Sequence, residues 1–193
     1  MKKLAKGDLY TLEAYASERS AFRARVLAHK QPRTVHLGAH LTLMFEDRLT
    51  IQYQIQEMLR IERIFEAAGI QEELDAYNPL IPDGTNLKAT LLIEYADADE
   101  RAQRLVELHG IEHKIALHIG ALAPAFAHAD EDLDRSTDAK TSAVHFLRFE
   151  LEPAHVAALR GDGAAAFVVE HPAYSTREVL SPATRQALAA DLD

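Results

Sequence analysis

The chain has 193 residues, of which 48 % are hydrophobic and 26 % charged, and its formal net charge is −9. This composition is ordinary for a globular protein, and the negative charge argues against nucleic-acid or anionic-membrane partners that require a basic surface. The chain has no Cys, which excludes disulfides, thiolate nucleophiles and Cys-ligated metal centres. A single domain over residues 1–193 is expected from the length. No apolar segment follows the N-terminal lysines, so a cytoplasmic location is expected.

The N-terminal part, about residues 1–77, is predicted to be helical. Asp8 is a plausible N-cap for a first helix that closes before Pro32, and residues 35–38 are a short strand or an extended link. The central prediction is one long helix over residues 41–68, because this stretch contains neither Gly nor Pro and is rich in good helix formers. Gly69 interrupts it, and a further helical turn or two is expected up to Tyr77.

The predicted long helix has two contrasting faces when its residues are placed at 100° steps. One face is apolar and consists of Met44, Ile51, Ile55, Met58 and Leu59. The opposite face carries an ordered polar stripe of Glu46, Tyr53, Glu57 and Arg60 between apolar flanks. This arrangement is typical of a helix that packs on more than one side, with Ile51, Ile55 and Leu59 in the core.

The second part, about residues 87–193, is predicted to be mostly sheet. Alternating or β-rich segments at residues 87–95, 112–120, 143–151 and 165–170 are expected to lie in one sheet. Residues 122–127 are the expected hairpin partner of the second of these strands. Helices are expected at residues 98–109, 153–160 and 182–192. Helices followed by strands indicate an α+β fold, with a mostly antiparallel sheet and helices on one face.

The polar stripe on the predicted helix has two interpretations. Glu46 and Glu57 on one face are suited to metal binding or to acid–base chemistry. However, Arg60 stands where the Glu-x-x-His motif of di-iron proteins has its histidine, and a guanidinium does not ligate metals. The other interpretation is a structural ion pair between Glu57 and Arg60, with the carboxylate at least half buried. The sequence assigns no metal ligands, and it leaves any cofactor unknown.

A second group of candidate residues follows the last predicted strand. His171, Pro172 and Tyr174 leave this strand, and strand ends often carry functional side chains. If that end faces the polar stripe, His171 or Tyr174 approaches Glu46 or Glu57, with Glu94 as a further member of the site. A carboxylate beside the imidazole would raise its pKa or orient it as a ligand. The alternative is a packed turn with His171 in solvent.

Four segments together resemble a known but uncharacterised bacterial family, number 3501 in the domain-of-unknown-function series. They are LGAHLTLMFE at residues 37–46, QIQEMLR at residues 54–60, ATLLIEY at residues 89–95 and HPAY at residues 171–174. The resemblance covers most of the chain and carries no assigned activity. Genes of this family often lie near those of rubrerythrin-like proteins, which implies a role close to iron or peroxide chemistry. The chain lacks the Cys residues and the paired Glu-x-x-His motifs of such iron proteins.

Two functions remain open at this stage. The first is a binding or accessory protein, with a link to redox or iron/peroxide metabolism that the resemblance implies. Its expected partners are another protein or further copies of the chain in a homo-oligomer. The second is a metal-binding protein or an enzyme that uses a carboxylate/His cluster. We favour the first, because no set of nucleophile, base and orienting group is visible.

Overall fold

The computed structural model describes residues 1–137, 139–161 and 163–193. Over these residues the chain forms six α-helices and eight β-strands. The helices are α1 (Leu12–Lys30), α2 (Arg48–Glu62), α3 (Ala67–Tyr77), α4 (Ala98–Glu107), α5 (Pro153–Arg160) and α6 (Pro182–Ala189). The strands are β1 (Thr34–Leu37), β2 (Leu41–Phe45), β3 (Asn86–Ile93), β4 (Ile115–Ile119), β5 (Ala125–Ala129), β6 (Val144–Glu150), β7 (Ala165–His171) and β8 (Tyr174–Val179).

The strands form one antiparallel sheet in the order β1-β2-β3-β6-β5-β4-β7-β8. The sheet curls until its edge strands β1 and β8 lie beside each other, and we name this junction the β1–β8 seam. Tyr174 Oη crosses the seam and donates to the Leu37 carbonyl at 2.6 Å. Gly38 has a φ of +70°, and a Cβ there would lie 2.5 Å from Tyr174 Oη. Glycine is therefore the residue that permits this close approach.

The main apolar core fills the inside of the curled sheet. Side chains at alternate positions of the strands supply this core, as Leu87, Leu91 and Ile93 of β3 do. Leu105 of α4 and Leu188 of α6 belong to the same core, so these two helices pack against the curled sheet.

Helices α1, α2 and α3 form a separate layer, which we call the helical layer. In α2, Ile51, Ile55 and Leu59 recur at helical spacing and are buried together with Leu74 of α3. Asp47 caps α2 by accepting hydrogen bonds from the first-turn amides. The helical layer thus has an apolar cluster of its own, distinct from the core inside the sheet.

The prediction of one helix over residues 41–68 is wrong. Its first part is strand β2, which pairs with β1 on one side and with β3 on the other. Helix α2 begins after Asp47 and ends at Glu62, and the next residue, Arg63, has a φ of +56° in the left-handed region. Pairing on both edges and burial of alternate side chains override the helix propensity of this segment. The predicted burial of Ile51, Ile55 and Leu59 is confirmed.

The prediction of an α+β fold is confirmed. The four strands predicted at residues 87–95, 112–120, 143–151 and 165–170 all lie in the one sheet. The sequence predicts no strand after His171, so strand β8 is a difference from the prediction. Helix α1 begins later than predicted, with Thr11 rather than Asp8 as its N-cap. Within the described residues, none of the helices is long and apolar enough to cross a membrane.

Candidate functional site

Glu57 of α2 is the centre of a dense set of hydrogen bonds, which we call the Glu57 cluster. Arg19 of α1 approaches it with two guanidinium nitrogens, each 2.8 Å from a carboxylate oxygen. Tyr15 Oη donates to the same carboxylate at 2.7 Å, and Arg60 at 3.1 Å. The Arg19 hydrogen bond is the main cause that lowers the pKa of Glu57 to about 2. Burial, together with the bond to Glu57, raises the pKa of Tyr15.

The prediction that Glu57 is buried and bonded to Arg60 or to another segment is confirmed. The Glu57 side chain is only 14 % exposed, whereas that of Arg60 is 41 % exposed. Because three side chains already occupy its oxygens, the Glu57 carboxylate has little capacity left for a ligand. Tyr53, the next member of the predicted stripe, packs its ring against Phe22 at 6.0 Å between centroids. This part of the stripe therefore joins α1 to α2.

Glu46 lies apart from the Glu57 cluster, because it follows β2 instead of belonging to the helix. Its carboxylate is buried and accepts a hydrogen bond from Thr90 Oγ1 of β3 at 2.8 Å. Its backbone amide donates to the Lys88 carbonyl, which continues the β2–β3 pairing by one residue. Glu46 is thus a buried polar group that is satisfied by the neighbouring strand.

His171 and Tyr174 face each other across the β7–β8 hairpin. His171 Nε2 lies 3.1 Å from the His109 carbonyl, and the Ala173 amide donates to Nδ1. Since a carbonyl only accepts, Nε2 carries the proton and Nδ1 is the acceptor, which is one neutral tautomer. Tyr174 Oη donates across the β1–β8 seam and accepts from the His40 amide at 3.3 Å.

The structure therefore separates the predicted site residues into groups. Glu57 and Arg60 are together, and Tyr53 lies on the same helix. Over residues 1–137, 139–161 and 163–193, no hydrogen bond or ion pair joins His171 or Tyr174 to Glu46 or Glu57. Glu94 and Tyr174, however, both contact His40.

Glu94 and His40 are linked by two hydrogen bonds at the end of β3. The Glu94 amide donates to the His40 carbonyl at 2.8 Å, and His40 Nδ1 donates to the Glu94 carbonyl at 3.0 Å. The Glu94 carboxylate is exposed and accepts from Thr42 Oγ1 at 2.7 Å. This side chain is thus held on one side and open to solvent on the other.

An open cavity of about 750 Å³ lies at this end of β3, and we call it the Glu94–Arg101 cavity. The His40 ring stacks on the Tyr95 ring with centroids 4.0 Å apart and an angle of 12° between the planes. Tyr95 is buried, so His40 presents the accessible part of the pair. The cavity is lined by Ala39, His40, Leu92, Ile93, Glu94, Tyr95, Ala96, Arg101, Ala143 and Val144.

Two opposite charges face this cavity without neutralising each other. Arg101 of α4 donates to the Tyr95 carbonyl at 3.2 Å. In the part of the chain that the structure describes, neither Arg101 nor Glu94 has an ion-pair partner within 4.0 Å. A guanidinium and a carboxylate that form no ion pair, beside an aromatic pair, are suited to binding a small polar molecule.

Sequence reasoning found Glu94 and Tyr174 of this region but missed His40 and Arg101. A signal was present: three of the four segments that carry the family resemblance, residues 37–46, 89–95 and 171–174, meet here. Arg101 lies outside them on α4 and had no local signal.

Sequence reasoning also missed a buried cluster around Arg33, which we call the Arg33 cluster. The Arg33 guanidinium donates to both carboxylate oxygens of Asp191, at 2.7 and 2.5 Å, and lies 3.3 Å from an Asp47 carboxylate oxygen. Asp47 also binds His29 Nε2 at 2.5 Å. Burial raises the pKa of Asp191, against the effect of Arg33.

A third buried cluster surrounds His145 of β6. His145 Nδ1 lies 2.6 Å from an Asp130 carboxylate oxygen, and Nε2 lies 3.0 Å from the Ser142 carbonyl. Thr141 Oγ1 is 2.8 Å from Nε2 and also donates to Glu112 at 2.9 Å. Because His145 and Thr141 are almost fully buried, this cluster has no access for a substrate.

These features define an α+β protein with a curled antiparallel sheet and an open polar cavity at one end of it. The model of the family described as "Protein of unknown function (DUF3501)" matches residues 3–192, and the chain belongs to this family. A crystal structure of a novel protein of unknown function from Burkholderia pseudomallei K96243 is 51 % identical, with a TM-score of 0.94. The match covers 100 % of both chains. No curated protein matches this chain.

Proposed function

We propose that this protein is a binding protein that takes a small zwitterion, a molecule with one ammonium and one carboxylate group, in the Glu94–Arg101 cavity. The observation that carries the proposal is the pair of opposite charges on one cavity. Arg101 and Glu94 both line it, and each lacks an ion-pair partner among the described residues.

The chemistry of the two side chains defines the ligand. The planar guanidinium of Arg101 matches a carboxylate, to which it donates two parallel hydrogen bonds. The carboxylate of Glu94 accepts from an ammonium group. Their charged atoms are more than 4.0 Å apart and do not pair with each other, so a zwitterion offers a partner to each. A ligand with a single charge would leave one of the two unpaired.

The aromatic pair adds a preference for flat groups. The His40 ring is held by its stacking on Tyr95 and by its hydrogen bond to the Glu94 carbonyl. A second planar group stacks favourably on such a fixed ring. The cavity of about 750 Å³ lies in the usual range for small-molecule sites. We therefore expect aromatic amino acids to bind better than aliphatic ones.

The other expected functions stay predictions. A link to redox or iron/peroxide metabolism rests on the family resemblance alone. For the alternative of a metal-binding protein or an enzyme, the described residues contain no group of three or more His, Cys, Asp or Glu side chains that could hold a metal ion. A protein partner or a homo-oligomer remains an open expectation.

Calorimetric titration with three related probes tests the proposal. Phenylalanine carries both charges, phenylpropionate lacks the ammonium group and phenethylamine lacks the carboxylate. We expect phenylalanine to bind at least about tenfold more tightly than either of the others, a difference of about 1.4 kcal/mol. Arg101→Met should weaken phenylalanine binding by at least a similar factor, and Glu94→Gln should do the same.

Arg104→Met is the matched control, because Arg104 lies on the same helix and pairs with Glu107 instead of facing the cavity. This variant should bind phenylalanine as the unchanged protein does. The proposal is overturned if phenylalanine does not bind up to millimolar concentration, or if phenylpropionate or phenethylamine binds as tightly as phenylalanine. It is also overturned if Arg104→Met and Arg101→Met weaken phenylalanine binding equally.

A further inference from the structure

A second cavity, of about 500 Å³, lies between the helical layer and the outer face of the sheet. We call it the Lys88 cleft. One wall is formed by the end of α3 and the turn after it, and the other by outward-facing side chains of β3 and β6. Its lining residues with apolar groups include Tyr77, Pro79, Leu80 and Phe146.

Most of the charges around this cleft are already neutralised within the chain. Arg148 donates to both carboxylate oxygens of Glu131, each at 2.7 Å. Arg135 donates to both oxygens of Asp132, at 2.7 and 2.8 Å, and its guanidinium lies 4.4 Å from the centre of the Phe146 ring. These two pairs form a polar rim around an apolar interior, and neither needs a further partner.

Lys88 is different from the other cations of the cleft. Its Nζ donates to the Pro79 carbonyl at 2.5 Å, and over the described residues it takes part in no ion pair. An ammonium group has three N–H donors, so two of them have no acceptor from the protein. The side chain is half-buried, and desolvation lowers the pKa of Lys88. A partly desolvated cation with spare donors is stabilised by an anion.

We infer that the Lys88 cleft binds an amphiphilic carboxylate, a molecule with an apolar body and one carboxylate head. The head pairs with Lys88, and the apolar body lies against Tyr77, Leu80 and Phe146. Lys88 is the cation of the cleft that forms no ion pair over the described residues, whereas Arg148 also pairs with Glu150 and Arg135 with Asp130. A single unpaired ammonium neutralises one charge, which favours a monoanion. The inference is independent of the zwitterion proposal, because the two cavities share no lining residue.

Titration with octanoate and with 1-octanol, followed by amide chemical shifts in NMR spectra, tests the inference. Octanoate should bind at least about tenfold more tightly than 1-octanol, because only the acid supplies a charge for Lys88. Lys88→Met should remove this preference and leave 1-octanol binding unchanged. Lys114→Met, which changes an exposed lysine outside the cleft, should bind octanoate normally.

A second measurement on the unchanged protein keeps the test decisive if Lys88→Met does not fold. Nuclear Overhauser effects should connect the octanoate chain to ring protons of Tyr77 and Phe146. The inference is overturned if octanoate does not bind below its micellar concentration, if these contacts are missing, or if Lys88→Met and Lys114→Met bind octanoate equally. Arg101→Met should leave octanoate binding intact, so failure of the zwitterion proposal is recognised separately.

Discussion

The Arg33 cluster and the Glu57 cluster are both guanidinium–carboxylate arrangements, but they differ in enclosure. Arg33 and Asp191 are 4 % and 2 % exposed, whereas Arg60 keeps 41 % of its side-chain surface in water. The Arg33 pair joins residues that are 158 positions apart, and the Glu57–Arg60 pair spans three. We therefore expect enclosure, and not the number of hydrogen bonds, to decide how strongly such a pair affects folding.

The largest loss in the free energy of unfolding is expected for Arg33→Met. This change leaves the Asp191 and Asp47 carboxylates buried without their cation, and removing one partner of a buried pair costs about 3–5 kcal/mol. The measurement is the free energy of unfolding in urea at pH 7. Arg48→Met is the control, because the Arg48–Asp8 pair is about one-third exposed, so its loss should change the free energy of unfolding much less. Equal losses in the two variants would remove the distinction between the clusters.

A smaller and pH-dependent effect is expected for Glu57→Gln. Hydrogen bonds to a charged group are worth about 1.5–3 kcal/mol, and the partial exposure of Arg19 places the expected loss toward the lower end at pH 7. The folded-state pKa of Glu57 is lowered to about 2, so its stabilisation is complete above the unfolded pKa of about 4.3 and is lost as the pH falls toward 2.

Urea unfolding at pH 7, 4 and 3 should therefore show the gap between Glu57→Gln and the unchanged protein closing with acid. Asp191 should change stability with pH in the opposite direction. Burial raises its pKa, so its contribution to the free energy of unfolding declines as the pH rises through the folded-state pKa. A gap for Glu57→Gln that widens with acid contradicts this assignment.

The smallest effect is expected for Arg60→Ala. Arg60 is well exposed, and Arg19 and Tyr15 still hold the Glu57 carboxylate after its removal. We expect a loss of less than about 1 kcal/mol in thermal or urea unfolding. A loss as large as that of Arg33→Met would mean that enclosure is not the deciding factor.

Strands whose apolar and polar residues alternate were predictable from the sequence. Strands that form only because neighbouring strands pair with them were not. Residues 115–119 show their inward face directly in the sequence, as β4 confirms, whereas residues 111–113, at the start of the predicted strand, form a 3-10 helix. Residues 41–45 consist of side chains compatible with a helix, and only pairing with β1 and β3 makes them a strand. Strand β8 lies at the edge of the sheet with mostly exposed side chains, so it has no apolar periodicity.

The same limit applies to the sites. Glu57 and Arg60 were predicted to pair because three positions along a helix bring side chains together. Asp191 gave no such signal, since its partner is in the first quarter of the chain. For the Glu94–Arg101 cavity, the sequence indicated Glu94 and Tyr174. That these residues lie close to His40 and Arg101 depends on how the sheet curls, which no local sequence pattern specifies.

The β1–β8 seam has a consequence for the speed of folding. Leu37 and Tyr174 are 137 residues apart, and their hydrogen bond requires nearly the whole sheet to be in place. Contacts of such high sequence separation carry a large loop-closure entropy and raise the contact order. We therefore expect the two edge strands to meet late, after the β2–β3–β6 pairing has formed. Until then their free edges are open to pairing with other chains.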